Sequence, residues 1–537
     1  MDLRILFEKY FCRVKLKKID SNLKYFALII FSAVISNLSY PEFNIFFIQF
    51  FSLTPLFYVL YKERSLLKTT IWGSLWGITF YTILLFWLKI FHPLSIPGIM
   101  IGFSIYFGIN FLLSKFFLNL FPKFRLFLIP AVWTIIEYIR SIGFLGFPWG
   151  LTAHSQVNFL AFIQIAEIFG MWIVSFLVVF INLLILEFFL NKDIKYILIL
   201  FFIILFCTIF GAIRIKQVKN QISKMEKIRI ALIQVNFDPR KSWEDNKYQV
   251  LSDLTILSMK SALYKPDLIV WSESAILDYL KYYLDNEERI STYTNLKNRI
   301  EYLKNVVRLS KDLEIPIFTG ILDFERKLTQ NGLIYNDYNA AVLISTNGKI
   351  VDVYRKNHLV PFGEHFPYGK YFPFIKKILE QTWAGNFTPS DRKTVFPLKK
   401  FKFSCLICYE GVFGYLVRLF ILNDADFLIN ITNDMWSYSR RAEFQHLISD
   451  IYRCIENRVP YVRAGNSGVT CYINQYGKIE KIAPLFTKTY LIADVPVENL
   501  KNKTFYTKYG DFFPKFLILF LIAILIFKIL NEYLEKR

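Results

Sequence analysis

The chain has 537 residues, 54% of them hydrophobic and 18% aromatic, which is too apolar for an ordinary soluble protein and long enough for more than one domain. Its formal charge of +21 is scattered, and many basic residues sit at the ends of apolar runs, as Lys15, Lys17 and Lys18 do. That pattern argues against nucleic acid and for anionic lipid head groups as the counter-charge, and six irregularly spaced cysteines (Cys12, Cys207, Cys405, Cys408, Cys454, Cys471) argue against a disulfide scaffold.

Crossing about 30 Å of hydrocarbon takes roughly 20 apolar residues. Runs of that order are expected at 23–40, 43–61, 69–91, 96–121, 125–142, 160–190 and 195–215, with an eighth near 512–531. The sixth is overlong and is expected to tilt or to include an interfacial turn. No small-residue cleavage site follows the first run, which reads as a retained span.

Basic residues fall before the first span (Arg13 to Lys24), between the second and third (Lys62, Arg64, Lys68), between the fourth and fifth (Lys115, Lys123, Arg125) and between the sixth and seventh (Lys192, Lys195). The intervening loops near residues 41, 93 and 150 are poor in charge. By this bias the N-terminus is cytoplasmic and the segment between the seventh and eighth spans is extracytoplasmic. The expected division is a seven-span transmembrane domain at 1–216, an extracytoplasmic domain at 217–511, and a C-terminal transmembrane helix with a cytoplasmic tail at 512–537.

In the middle segment, β-branched and apolar runs alternate with amphipathic stretches, the pattern of an α/β domain. Strands are expected at Ile228–Val235, Leu268–Trp271, Ile315–Ile321, Ala340–Ser345, Phe401–Cys408, Phe427–Ile431, Tyr461–Ala464 and Leu491–Val495. Helices are expected at 246–263, 296–312 and 440–458, and Asn347-Gly348 reads as a hairpin turn.

Three residues stand at the ends of apolar runs, where a layered α/β fold presents its chemistry: Glu273, Lys356 and Cys408. A thiol near pKa 8.5 is only a few per cent thiolate at neutral pH, so a nucleophilic cysteine needs a base and a positive neighbour. Glu273 would take the thiol proton and later activate the second nucleophile. Lys356 would stabilise the thiolate and the oxyanion, and the backbone N–H of Tyr409 would donate to the same oxyanion. Taken singly, each has an ordinary alternative: a cap or loop carboxylate, a surface charge, a buried thiol. Cys405 and Cys408 also form a C-x-x-C, but no second cysteine pair follows. The five histidines offer no H-E-x-x-H, and no Gly-rich phosphate loop occurs, so neither metal nor cofactor is expected.

The motifs Trp271-Ser272-Glu273-Ser274-Ala275, Lys356-Asn357-His358-Leu359-Val360-Pro361-Phe362-Gly363-Glu364 and Cys408-Tyr409-Glu410 resemble, in order and spacing, those of the apolipoprotein N-acyltransferase family within the nitrilase superfamily. The resemblance extends to Gly146-Phe147-Pro148-Trp149, Asn433-Asp434-Met435-Trp436, Gln445-His446 and Arg463 to Thr470. It departs at Ser272, where the family usually has proline, and at Gly465, more often Thr or Asn.

The resemblance implies a multi-pass α-helical membrane domain joined to an αββα sandwich, in a bacterial inner membrane with the catalytic domain periplasmic. It implies acyl transfer in two steps, from the sn-1 position of a phospholipid to Cys408 and then to the α-amine of a lipoprotein's diacylglyceryl-cysteine. It assigns supporting places to Glu364, beside Lys356, and to Tyr409 and Glu410 at the nucleophile turn, and lipid contact to Trp243 and Trp436.

Phe362–Phe387 mixes Phe366, Tyr368, Tyr371, Phe372, Phe374, Trp383 and Phe387 with Lys370, Lys376 and Lys377, which suits an interfacial lid. The alternative there is an aromatic insertion packed on the sandwich. A monomer is expected. The competing functions are a membrane-tethered amidase or hydrolase using the same triad, a transporter with an accessory domain, and an inactive lipoprotein-binding scaffold. Few ionisable groups lie mid-span, Glu137 and Arg140 being the main exceptions, which disfavours the transporter.

Overall fold

The computed structural model describes residues 21–286, 294–329, 332–374, 377, 386–499 and 502–535. Before the first strand lie helices α1 (Ser21–Asn37), α2 (Thr54–Lys62), α3 (Leu66–Leu84), α4 (Ser95–Leu120), α5 (Arg125–Ile139), α6 (Trp172–Asn191) and α7 (Lys195–Ile222). A further helix, Phe512–Glu535, follows the last strand. Of these, α4, α6, α7 and the C-terminal helix are long and apolar enough to cross a membrane.

The other expected spans are shorter or broken, for local reasons. The run at 43–61 divides into the 3-10 turn Phe46–Phe50 and nine-residue α2, with Asn44 left-handed at φ +58. The overlong run at 160–190 is interrupted at Gly170, φ +68, so its length is shared among Leu160–Ile163, Ala166–Phe169 and α6. Helix α5 has 15 residues with Pro130 inside it.

Close helix packing uses small residues, as expected where lipid supplies no hydrophobic drive. A Cβ at Gly73 would stand 2.4 Å from the Phe107 carbonyl oxygen, and one at Gly77 would stand 2.5 Å from that of Phe103. Glu137 and Arg140 each hold the loop after α5. Glu137 Oε1 accepts from the Thr152 N–H (2.7 Å) and hydroxyl (2.8 Å), while Arg140 donates to the carbonyls of Phe147 (2.8 Å) and Trp149 (3.0 Å). These buried charges therefore fix residues 147–152.

The strands are β1 (Glu226–Gln234), β2 (Leu268–Val270), β3 (Ile317–Thr329), β4 (Gly332–Ile344), β5 (Ile350–Arg355), β6 (Phe396–Leu398), β7 (Phe401–Ile407), β8 (Phe427–Thr432), β9 (Tyr461–Gly465), β10 (Cys471–Ile473), β11 (Ile479–Ile482) and β12 (Thr489–Val497). They form two six-stranded sheets, ordered β12-β1-β2-β3-β4-β5 and β11-β10-β9-β8-β7-β6. The period of two sorts the core. Ile228, Ile230 and Leu232 of β1 join Phe318, Phe396 and Phe403 between the sheets. Ala231 and Ile233 pack instead with Leu254, Tyr302 and Val306 of the helical layer.

Helices α8 (Trp243–Ala262) and α9 (Thr294–Leu313) make that outer layer. Helices α10 (Gly414–Leu422) and α11 (Arg440–Asn457) follow the strands of the second sheet.

Every expected strand is present. β3 and β4 are longer than expected because Asp323, Glu325, Arg326, Asn336 and Asp337 interrupt the apolar pattern of their outer halves; Arg355 of β5 reaches across to Asp323 at 2.7 Å. The turn at Asn347-Gly348 joins β4 to β5, with Gly348 at φ +77. Strands β5, β6, β10 and β11 were not expected: they run three to six residues and carry too few alternations to register.

Helix α11 is buried on every face, because it lies between the second sheet and the membrane domain. Tyr452 donates to the Ala153 carbonyl (2.6 Å) and Gln445 to that of Leu84 (3.0 Å), while Trp87 donates to Gln445 (3.0 Å).

Candidate active site

Glu273 follows β2, Lys356 follows β5, Cys408 follows β7 and Asp434 follows β8, so both sheets deliver their chemistry at one edge. Trp271 is fully buried with its indole N–H on Ser258 Oγ (3.0 Å), which anchors the strand end ahead of Glu273. Cys408 sits at φ +51, a left-handed backbone rarely adopted by a residue with a Cβ. This is a sharp turn out of β7 at a candidate nucleophile.

Lys356 Nζ donates to Glu364 Oε1 (2.8 Å) and lies 3.4 Å from Glu273 Oε1. Asn339 supplies the missing link: its side-chain amide donates to both carboxylates, at 2.9 Å to Glu273 and 2.8 Å to Glu364. Glu273 Oε2 accepts from the Asn433 N–H (3.0 Å), and Glu364 Oε2 from that of Val360 (2.8 Å).

Glu410, fully buried, ties two motifs together. It accepts from the N–H groups of Ile407 (2.8 Å), Asn357 (2.6 Å) and His358 (3.0 Å), and from the Tyr354 hydroxyl. Tyr409 reaches the other domain. Its hydroxyl donates to the Gly146 carbonyl (2.6 Å), and its ring stacks on Trp149 at 5.4 Å.

The electrostatics follow from burial against pairing. Burial pushes the Glu273 carboxyl up, with Lys356 pulling down and Glu364 pushing up. For Lys356 burial disfavours the charge, but Glu364 and Glu273 outweigh it and hold the ammonium. Burial, then Glu273 and Asp434, push the Cys408 thiol well up, against Lys356. Burial also raises Glu410, against its backbone donors and Lys356. The resting site thus pairs a neutral thiol with a carboxyl of raised basicity, an arrangement suited to proton transfer when an electrophile arrives.

Asn339, Asp434, His446 and Arg463 carry no role in the sequence reading, although the last three lie in quoted motifs. Asp434 Oδ1 is 3.9 Å from Cys408 Sγ, and His446 Nε2 faces the Cys408 carbonyl at 3.2 Å. One signal was available: Glu443, His446 and Asp450 recur at helical spacing on one face of α11. Donor atoms of Cys408, Asp434 and His446 lie within 4.8 Å of one another, a spacing that could hold a metal. Arg463 already sits 2.6 Å from Asp434 Oδ2 and 2.8 Å from His446 Nδ1, so a cation there would meet a buried guanidinium.

Trp436 is half-buried, in the turn that carries Asp434. Trp243 is half-buried and edge-on to Phe237 (6.2 Å), whose N–H is held by Asn466, itself bonded to Asn433. In the aromatic segment, Tyr371 and Phe374 are exposed, and Phe144 of the membrane domain meets His365 and Tyr368. Trp383 and Lys376 lie outside the described residues. Cys454 and Cys471 are buried free thiols.

The family model for carbon-nitrogen hydrolases matches residues 229–503, and that for the apolipoprotein N-acyltransferase N-terminal domain matches residues 32–184. An amidase of the nitrilase superfamily from Nesterenkonia AN1 aligns over 51% of this chain and 92% of its own, at 16% identity and a TM-score of 0.36. The two-sheet sandwich, with a glutamate, a lysine and a cysteine at its edge, and the family match over the same residues define a nitrilase-superfamily enzyme.

Among full-length relatives, apolipoprotein N-acyltransferase 1 of Treponema denticola is 32% identical, with 95% of this chain and 97% of that protein covered. The apolipoprotein N-acyltransferase of Borreliella burgdorferi is 32% identical over 94% of this chain and 96% of its own. The chain belongs to the apolipoprotein N-acyltransferase family.

Proposed function

We propose that this chain is a membrane acyltransferase that moves the sn-1 acyl chain of a phospholipid, through a thioester on Cys408, to the α-amine of diacylglyceryl-cysteine on an apolipoprotein. In the first step Glu273 takes the thiol proton as sulfur attacks the ester carbonyl. Lys356 and the Tyr409 N–H meet the oxyanion, and the lysophospholipid alkoxide leaves with the proton from Glu273. In the second step the lipoprotein amine attacks the thioester, Glu273 takes its proton, and the thiolate departs to be reprotonated.

Glu364 and Asn339 hold Lys356 and Glu273 in register, and Glu410 fixes the nucleophile turn against the Lys356 segment. Trp243 and Trp436 meet lipid. Residues 217–511 stand on the periplasmic face as the catalytic domain of a monomer, between seven N-terminal crossings and one C-terminal crossing. The alternating basic loops support that orientation.

The observation that carries this reading is the seam between the domains. The residue after Cys408 donates to Gly146 and stacks on Trp149, so the candidate nucleophile adjoins the loop after α5 of the apolar N-terminal helices, which supports access from lipid. The test is the intact mass of the purified protein after incubation with phospholipid, beside Cys408→Ser. The expected result is a hydroxylamine-labile acyl adduct on the wild type alone. An adduct discharged only to water would assign the tethered hydrolase instead.

A further inference from the structure

One network grips the candidate nucleophile from the second sheet and α11. Cys408 Sγ lies 3.9 Å from Asp434 Oδ1, and the Cys408 carbonyl is faced by His446 Nε2 (3.2 Å) and Asn430 Nδ2 (3.2 Å). A carbonyl only accepts, so the His446 nitrogen facing it carries a hydrogen. Asp434 is held in turn: Oδ2 accepts from Arg463 at 2.6 Å, while Oδ1 lies 3.0 Å from His446 Nδ1, which donates to it only as the imidazolium and which also lies 2.8 Å from Arg463. Arg463, fully buried, also donates to Asp450 (2.8 Å).

Two carboxylates therefore flank one thiol, and their surroundings differ. Burial works against the Asp434 charge, but His446 and Arg463 overcome it and hold this carboxyl well below the usual range. Glu273 is pushed the other way by its burial. Asp434 can thus accept an S–H hydrogen bond but is too weak a base to take the proton, whereas Glu273 can take it.

We propose that Asp434 is a positioning residue for Cys408: clamped by Arg463, it orients the S–H, and its charge keeps the resting nucleophile a thiol until the ester arrives. This rests on Cys408 being the nucleophile. The titratable groups around the sulfur are Glu273 after β2, Lys356 after β5, with Glu364 behind it, Asp434 from the turn after β8, and His446 from α11, a ring nitrogen of which lies within 4.8 Å. Lys356 favours the thiolate, and the two nearest carboxylates oppose it. Removing one of them tips the balance by roughly one to two pH units.

The experiment follows the rate of Cys408 alkylation by iodoacetamide against pH, read by intact mass on the full-length protein in detergent, with Cys408→Ser as background. In the wild type the midpoint is expected above the ordinary thiol value of about 8.5, and a midpoint below it overturns the proposal without any variant. In Asp434→Asn the midpoint is expected to fall by roughly one to two pH units, while thioester formation slows at least about tenfold. Asp434→Glu, which keeps the charge, is expected to stay near the wild type. An Asp434→Asn profile that superposes on the wild type, or moves up, overturns the proposal. If the alkylation shift appears but phospholipid leaves no acyl adduct on the wild type, the acyltransferase reading fails and the positioning role stands. An adduct without the shift sinks the positioning role alone.

Discussion

Glu410→Gln removes a charge but almost no volume, and the structure says what that does. The carboxylate accepts from the N–H groups of Ile407 on one oxygen and of Asn357 and His358 on the other. An amide keeps a single acceptor. With its oxygen toward Asn357 and His358, its NH2 group confronts the Ile407 N–H, donor against donor. One orphaned buried N–H costs about 1–3 kcal/mol, and two remaining bonds lose charge assistance of about 1 kcal/mol each. The sum, about 3–5 kcal/mol, falls on the two turns that carry Lys356 and Cys408. If most of it is felt in the transition state, thioester formation slows by about 10²- to 10³-fold. The assay is single-turnover acylation followed by intact mass, with thermal unfolding in detergent alongside. A rate within about threefold of the wild type would refute the reasoning.

Because burial raises the Glu273 carboxyl, thioester formation should increase with pH along a limb centred above the ordinary glutamate value of about 4.3. Glu273→Gln should abolish that limb and slow acylation by about 10²- to 10⁴-fold. Tyr409→Phe keeps the stack on Trp149 but orphans the Gly146 carbonyl, and should destabilise by about 1–3 kcal/mol, read as a lower Tm. His358 is held down to about 4, by burial first and then Lys356. Its folded value lies below the unfolded one, so its stability contribution is whole above about 6.5 and is lost as pH falls toward 4. His358→Gln should accordingly lose less Tm than the wild type between those pH values. Gly77→Leu would force α3 off α4, where a Cβ alone already meets the Phe103 carbonyl, and should lower the yield of folded protein.

The strand ends were legible because Glu273, Lys356 and Cys408 each interrupt or end an apolar run, and burial of such runs marks where the polar residue must emerge. The strands of the sandwich core were legible for the same reason. Strands β5, β6, β10 and β11 were not: Ile350–Arg355 mixes Asp352 and Arg355 into a half-exposed edge. Helical breaks inside apolar runs escaped hydropathy as well, since Gly170 ends a helix through its φ and adds no charge. Asn339 could not be singled out, because its role is set by two carboxylates distant in sequence. Glu137 and Arg140 stand out in the sequence as mid-span charges, but only the folded loop shows that each satisfies backbone groups of residues 147–152.

In the proposed reaction one acyl group passes from donor lipid to Cys408 to an amine. The most direct measurement uses a phospholipid deuterated only in its sn-1 chain, with a synthetic diacylglyceryl-cysteine peptide added after the adduct has formed. The label should appear on the protein as a hydroxylamine-labile mass, absent from Cys408→Ser, and then move wholly to the peptide as a hydroxylamine-stable amide. Label reaching the peptide without passing through the protein, or released as free fatty acid, would contradict that reaction.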